Sequence, residues 1–240
     1  MGIMIYRDRE AASAAAATLI AAQMIEKPDC VLGLSASEMA GTVYRQLCGI
    51  TAAGVLDWGE VTVFHTSEFL SRRAGQPGAQ SAYLSRLLYQ HVGISGERIH
   101  TPNHIAQDMQ AACSAYEAEL VASRGMDLLV LYLGRNGHLA FNGPAREFSA
   151  FTHVELMPQS TMEECACMTG ADGAISQAVT MGVSTIMSAK HILMLAIGRD
   201  VAGMASRMLS SAVTPAVPAS LLQLHPSVTY VLDEEAAANL

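Results

Sequence analysis

The chain has 240 residues, of which 51% are hydrophobic and 15% charged, so it can build a sizeable core and is not an intrinsically disordered protein. Its formal net charge of −8 argues against a nucleic-acid partner, because such proteins carry basic surfaces. The cysteines are odd in number and scattered, which indicates free thiols in a reducing compartment, and we expect a cytoplasmic protein. They are Cys30, Cys48, Cys113, Cys165 and Cys167.

The first 26 residues contain an apolar segment that fits neither a signal peptide nor a membrane span. Charges from Arg7 to Glu10 fall where a signal peptide would be apolar. The Ala-rich stretch that follows is short for a membrane crossing. The pattern instead predicts a strand over residues 2–7 and a helix over residues 8–26. We therefore expect no membrane partner.

Beyond this helix, apolar runs of strand length alternate with helical patterns. Further strands are predicted over residues 30–35, 61–66, 127–134, 191–198 and 227–233. Further helices are predicted over residues 37–54, 80–94, 108–125 and 199–211, with a short tail helix over 233–240. Apolar strands separated by helices indicate a mostly parallel sheet with helices on each side.

No repeat, linker or composition shift interrupts the pattern, so we predict a single domain over residues 1–240. The predicted fold class is α/β, with three layers and a mostly parallel, doubly wound sheet that is flanked by helices on both faces. The least regular segment covers about residues 145–178. We interpret it as a lid or as an antiparallel excursion from the sheet.

Small and polar residues follow four of the predicted strands, at 35–38, 65–68, 134–138 and 198–200. Ligands of open α/β sheets collect at the carboxyl ends of the strands, where such loops meet. Turns favour the same residue types for purely structural reasons, so one loop alone would carry no argument. Four loops together predict a small-molecule site at this edge of the sheet.

His138 stands just after the strand predicted over residues 127–134. Histidine titrates near neutral pH, so His138 is a candidate acid or base. The structural alternative is a ring that hydrogen-bonds locally and closes a strand-to-helix turn. A metal site at Cys165 and Cys167 would need a second cysteine pair or a close histidine, which the sequence lacks. We therefore predict no metal and no organic cofactor.

Three segments, in the right order, carry a resemblance that runs over nearly the whole chain. Residues 134–144, Gly-Arg-Asn-Gly-His-Leu-Ala-Phe-Asn-Gly-Pro, look like the Gly-x-Asp-Gly-His-Ile-Ala-Phe-Asn-Glu-Pro motif of the glucosamine-6-phosphate deaminase (isomerase) family. Residues 179–187 and 218–226 look like two further family motifs. This family shares its fold with 6-phosphogluconolactonases, and its galactosamine branch has Asn-Gly-His. The resemblance implies this fold and a sugar or sugar phosphate as ligand.

The family opens a hexose phosphate ring, moves a proton between carbons 1 and 2, and releases ammonia from carbon 2. By resemblance, His138 assists ring opening. An acidic residue after the third strand would abstract the proton, but Ser67 stands in its place, with Glu68 beside it. Asn136 stands where the motif has Asp, and Gly143 where it has Glu. The candidate catalytic set is therefore His138, Asn136, Ser67 and Glu68, with Glu147 and His65 as alternative bases.

The candidate substrate-binding residues also depart from the family. Its phosphate loop reads like Thr-Gly-Ser-Thr-Pro, whereas this chain has Ser35, Ala36, Ser37 and Glu38, and Glu38 brings a negative charge. A family lysine after the strand over residues 191–198 aligns with Val201, and Arg199 is its candidate substitute. The remaining candidates come from the histidine motif and are Gly134, Arg135, Gly137 and Asn142.

Three hypotheses follow from these departures. The chain is an amino-sugar phosphate isomerase or deaminase with a changed acid–base set. Alternatively, it is a degenerate relative that binds a sugar or small ligand without turnover. In the third, it is an enzyme for an unphosphorylated sugar, which Glu38 motivates because a carboxylate suits amines and hydroxyls better than phosphate. Relatives include monomers and higher oligomers, so a homo-oligomer stays open.

Overall fold

The computed structural model describes residues 2–70, 78–165, 176–210 and 212–240. Its strands, in chain order, are β1 (Gly2–Tyr6), β2 (Val31–Leu34), β3 (Thr62–His65), β4 (Ser67–Phe69), β5 (Ile99–His100), β6 (Leu128–Tyr132), β7 (His153–Leu156), β8 (Gln177–Thr180), β9 (His191–Ala196) and β10 (Val228–Asp233). The α-helices are α1 (Arg9–Glu26), α2 (Ala40–Ala52), α3 (Ala79–Leu84), α4 (Gln90–Val92), α5 (Met109–Ala122), α6 (Gln159–Glu164), α7 (Val183–Met187) and α8 (Ala202–Ser210). A π-helical stretch, Ser85–Tyr89, joins α3 to α4. Short 3-10 turns cover Gly96–Arg98, Arg199–Val201 and Pro218–Leu224.

Seven strands form one parallel sheet in the order β1-β10-β9-β6-β2-β3-β5. Its central strand β6 is buried along its whole length, as the apolar run Leu-Leu-Val-Leu-Tyr requires. One hydrophobic cluster packs the sheet against α1 and α2, and a second packs the other face against α5, α7 and α8. The predicted three-layer, doubly wound α/β fold is confirmed.

A smaller antiparallel sheet, in the order β4-β8-β7, lies beside the main one. Two of its strands fall at the ends of the irregular segment, so the interpretation as an antiparallel excursion is confirmed for the described part. Strand β4 was not predicted, because three residues are too few for an alternating pattern to stand out. The lid interpretation rests largely on residues 166–175, and these, with Cys167, lie outside the described residues.

The tail helix predicted over residues 233–240 is wrong. Asp233 ends β10, and turns follow it. The Asp233 carboxylate accepts hydrogen bonds from the backbone N–H groups of Gly198 and Ala236. In an Ala-rich stretch this short, too few helical hydrogen bonds form to offset the free-energy cost of helix nucleation. The tertiary hydrogen bonds to Asp233 are available instead.

At the amino ends of the strands, a buried carboxylate fastens three neighbours together. Asp127, just before β6, accepts hydrogen bonds from Lys27 Nζ at 2.6 Å and from Lys190 Nζ at 2.7 Å. It also accepts from the backbone N–H of Val31 at 2.8 Å. Burial alone would raise the pKa of Asp127, but these three bonds together hold the pKa below its usual value.

Candidate active site

A cavity of about 720 Å³ opens at the carboxyl edge of the main sheet, where the strand-end rule placed a site. The structure brings most of the predicted residues together in its lining. They are Ser35, Ala36, Ser37, Glu38, Ser67, Gly134, Arg135, Asn136, His138 and Arg199. Three predicted residues lie outside this lining, namely Glu68, Gly137 and Asn142.

Asn136 fixes the protonation pattern of the half-buried His138 ring. The backbone N–H of His138 donates to Asn136 Oδ1 at 3.1 Å, which identifies that atom as the amide oxygen. His138 Nδ1 makes a short contact with the same oxygen. Because the oxygen can only accept, Nδ1 carries the proton and Nε2 is a bare acceptor. Within the described part of the chain, Nε2 has no hydrogen-bond partner, and it belongs to a cavity-lining residue.

Burial lowers the pKa of His138 to about 4. An aspartate at position 136 would oppose this shift by favouring the imidazolium, whereas the amide of Asn136 carries no charge. His138 is therefore neutral at physiological pH. Its Nε2 can accept a proton from a bound hydroxyl, which is the role that ring opening requires.

Two glycines of the histidine motif shape this corner. A Cβ on Gly134 would collide with the imidazole ring of His138, so only glycine leaves the ring its place. Gly137 has φ +72°, a left-handed conformation that favours glycine, and its carbonyl accepts from Ala219 N–H at 2.8 Å. Gly137 therefore shapes the backbone of the loop, and it lies outside the cavity lining where it was predicted.

Ser67, which the resemblance aligns with the family's proton-abstracting carboxylate, lies in the cavity wall. The side chain is buried, and its hydroxyl donates to Gln80 Oε1 at 3.0 Å. A serine whose proton is directed at a neutral amide is not activated as a base. Its oxygen can still accept a hydrogen bond from a ligand. The neighbouring hydroxyls of Ser35 and Thr66 bond to each other at 2.9 Å.

Glu68, a predicted catalytic residue, is not among the residues that line the cavity. The side chain is fully buried on the other side of β4. Its carboxylate accepts from the backbone N–H groups of Gln80 and Ser81 and from the Ser81 hydroxyl, at 2.7–2.9 Å. Glu68 thereby caps the start of α3 from a neighbouring strand. Gly78 is the close neighbour that makes room for it.

Asn142 and the two alternative bases also lie outside the cavity lining. The Asn142 amide donates to the carbonyls of Leu139 and Met181 at 2.8 and 2.7 Å, so it joins the histidine loop to the end of β8. The structure therefore gives Asn142 a position that supports the loop, outside the cavity lining where it was predicted. His65 is buried against the Tyr89 hydroxyl at 2.8 Å, and burial lowers its pKa to about 3. Glu147 is exposed on a loop.

The loop between β2 and α2 uses three backbone N–H groups for its own turn. Met39 N–H donates to Ser37 Oγ at 3.2 Å, and Ala40 N–H to the Ser37 carbonyl at 3.0 Å. Gly41 N–H donates to the Glu38 carbonyl at 3.5 Å. These three N–H groups are therefore not free for a phosphate, although such groups at a helix start are what usually bind it. The exposed Glu38 side chain adds a negative charge.

Sequence analysis missed several charged groups at the cavity wall. Arg9 enters from the start of α1, and Asp200 from the turn after β9. Glu163 and Glu235 also line the cavity. Arg9 and Glu235 follow β1 and β10, so the strand-end rule, applied to these two strands as well, would have found them.

The described residues contain no group of three or more side chains suited to hold a metal ion. None of the helices described is both long and apolar enough to cross a membrane.

Comparison with known proteins gives one consistent result. The sequence profile of the glucosamine-6-phosphate isomerases/6-phosphogluconolactonase family matches residues 7–231. A glucosamine-6-phosphate deaminase of Halothermothrix orenii is 35% identical in an alignment that covers all of both chains. The corresponding protein of a Geobacillus species is 37% identical over 95% of this chain and 91% of its own.

Solved structures give the same picture. A monomeric glucosamine-6-phosphate deaminase superposes with a TM-score of 0.94 at 32% identity and full coverage of both chains. The 6-phosphogluconolactonase of Trypanosoma brucei has a TM-score of 0.78 at 16% identity over all of this chain and 98% of its own, a likeness in fold alone. This chain belongs to the glucosamine-6-phosphate isomerase/6-phosphogluconolactonase family.

Proposed function

We propose that the chain is an isomerase/deaminase-type enzyme that acts on an amino-hexose phosphate in the cavity beside His138. The observation that carries the proposal is the bare Nε2 of His138, with the tautomer fixed by Asn136. This nitrogen takes the proton of the anomeric hydroxyl. The bond between carbon 1 and the ring oxygen breaks, and the ring oxygen receives the proton.

The later steps need a base for the proton on carbon 2. Ser67 does not supply one, because its hydroxyl donates to Gln80. We assign this proton also to His138, which takes it from carbon 2 and delivers it to carbon 1. Water then hydrolyses the resulting imine to the ketose and ammonia. A single neutral imidazole in both roles predicts slow turnover.

The test is proton NMR in heavy water, with glucosamine 6-phosphate and galactosamine 6-phosphate in separate incubations. We expect deuterium to enter at carbon 2 and the ketose to appear, and we expect His138→Gln to abolish both. Wild-type protein that shows no exchange at high concentration would rule out the amino-sugar phosphate reaction.

A gain of rate gives a second, independent test. Ser67→Asp places a carboxylate where the family has its base, and a general base contributes ~10²–10⁴-fold to such reactions. We expect exchange at carbon 2 to rise by ~10²-fold or more. Ser67→Asn is the matched control, because it has the same shape without the charge, and it should give no rise. Equal rates in both variants would contradict the placement of Ser67.

The bond from Ser67 to Gln80 also favours a second candidate, a relative that binds an amino sugar without turnover. It predicts saturable binding of glucosamine 6-phosphate with no exchange, and exchange in Ser67→Asp alone. The charge of Glu38, which lines the cavity, favours a ligand without phosphate. If the ligand carries no phosphate, glucosamine should bind as tightly as glucosamine 6-phosphate. Titration calorimetry with the two sugars measures this difference directly.

Location and assembly remain predictions of the proposal. The thiols of Cys30 and Cys113 are buried and unbridged, which supports a cytoplasmic protein. The ligand is a small sugar or sugar phosphate, and we predict neither a nucleic-acid nor a membrane partner. A homo-oligomer is compatible with the family, although one structural relative is a monomeric enzyme.

A further inference from the structure

The arginines that line the cavity differ in whether they form an ion pair with a carboxylate. Among the described residues, the arginines that line it are Arg9, Arg135 and Arg199. Arg135 forms an ion pair with Asp200 at 2.9 Å. Within the described part of the chain, neither Arg9 nor Arg199 has a carboxylate partner. Two guanidinium groups therefore face one cavity without a protein anion.

Hydrogen bonds fix the backbone next to each of these two arginines. Arg9 is the first residue of the long helix α1, whose start is fixed by the Asp8 carboxylate on Ala11 N–H at 2.8 Å. Arg199 follows Gly198, whose N–H donates to both Asp233 carboxylate oxygens, at 2.9 and 3.0 Å. Both side chains thus start from anchored backbone at the carboxyl edge of the sheet.

The helix that carries Arg9 packs beside α2. Helices α1 and α2 pack side by side, and both begin at the edge that holds the cavity. In the turn before α2, the N–H groups of Met39, Ala40 and Gly41 are already bonded, and Glu38 adds a negative charge. Arg9 therefore brings positive charge to the same cavity as the negative charge of Glu38.

We propose that Arg9 and Arg199 hold the phosphate of the substrate in the cavity at the carboxyl edge of the sheet. A guanidinium group matches phosphate with two parallel N–H donors and stays charged at every relevant pH. Four carboxylates also line the cavity, from Glu38, Glu163, Asp200 and Glu235, so its overall charge does not attract an anion. The phosphate is therefore held by direct contacts with the two arginines and not by the overall charge of the cavity. This inference rests on the proposed function and names the anion-binding residues of the same site.

The test compares glucosamine 6-phosphate with glucosamine in titration calorimetry. Wild-type protein should bind the phosphate form at least about tenfold more tightly, because charged hydrogen bonds distinguish the two ligands. Arg9→Gln and Arg199→Gln should each remove about tenfold of this preference and leave the affinity for glucosamine unchanged. Inorganic phosphate should compete with the sugar phosphate in the wild type and lose that effect in the double variant.

Arg7→Gln is the matched control, because it removes the same charge two residues from Arg9 and outside the cavity lining. It should keep the full preference for phosphate. Arg9→Lys should keep part of it, since a point charge replaces a two-donor contact. Two results would overturn the inference: a wild type without preference for the phosphate form, or an Arg9→Gln variant that keeps it. If sugars still exchange deuterium in either case, the proposed function stands and only the anion site is wrong.

Discussion

The two ends of the central sheet use charged groups in opposite ways. At the amino ends of the strands, the two lysines of the sequence, Lys27 and Lys190, both donate to the buried carboxylate of Asp127. At the carboxyl ends, His138 has one ring nitrogen bonded and the other open to the cavity. Arg9 and Arg199 are exposed there without a carboxylate partner among the described residues.

The difference shows how to separate structural from functional charge in one fold. A buried carboxylate whose oxygens already accept from several donors stabilises the chain and has no capacity left for a ligand. Glu68 belongs to this class, although its neighbour in sequence lines the cavity. A group with an open donor or acceptor in a cavity contributes little to folding and is available for chemistry.

The largest expected effect concerns the carboxyl end of the sheet, where the cavity lies. His138→Gln removes the bare nitrogen but keeps a polar side chain of similar reach. We expect deuterium exchange at carbon 2 to fall by ~10²–10⁴-fold, the usual contribution of a general acid or base. The free energy of unfolding in urea should change by less than about 1 kcal/mol, because the ring makes few bonds. A large loss of stability with retained exchange would mean that His138 is a structural residue and not a functional one.

The next effect concerns the amino end of the sheet, where Asp127 is buried. Asp127→Ala leaves the Val31 N–H without its partner and releases both lysines into solvent. We expect a loss of about 2 kcal/mol in the free energy of unfolding, with ligand affinity unchanged. Because the folded pKa of Asp127 is lowered, its contribution is present above the unfolded pKa of about 4 and is lost as the pH falls through the folded pKa. Wild type and variant should therefore converge in acid, which urea denaturation at several pH values will show.

A third prediction concerns the pKa of His138 itself. At a pKa of about 4, the ring is neutral above pH 5, so exchange should be constant there and fall as the pH drops through 4. Asn136→Asp places an anion beside the Nδ1 proton, which favours the imidazolium and raises the pKa. The acid limb of the rate profile should then move to higher pH. NMR titration of the ring protons measures the same shift, and an unmoved limb would contradict the assigned tautomer.

The smallest expected effect is at an exposed pair on the cavity rim. Arg135 and Asp200 form an ion pair whose side chains are 66% and 72% exposed. Asp200→Ala should change the free energy of unfolding by no more than about 0.5 kcal/mol, since solvent screens such pairs. A cost as large as that of Asp127→Ala would mean that burial does not explain the contrast between the two ends.

Sequence reasoning located the cavity better than it assigned roles within it. Apolar periodicity predicted six of the seven strands of the main sheet, because strands buried on both faces leave a continuous hydrophobic run. It did not predict β5, which has two residues. The strand-end rule then selected loops that do meet. It failed at Glu68, because one residue of strand register decides between cavity and core. It missed Arg9, because the rule was not applied to the end of β1.

The sequence by itself determined the fold class and predicted the edge of the sheet where the cavity lies. These follow from local pattern and residue identity, which need no knowledge of distant contacts. The resemblance to the family added the prediction that Ser67 stands in place of a carboxylate. The tertiary structure alone decided which polar groups are open. Ser67 donates to Gln80, Glu68 caps α3, and Asn136 sets the tautomer of His138. A hydrogen bond needs partners at the right distance and angle, and only the folded chain brings side chains from separate elements to that geometry.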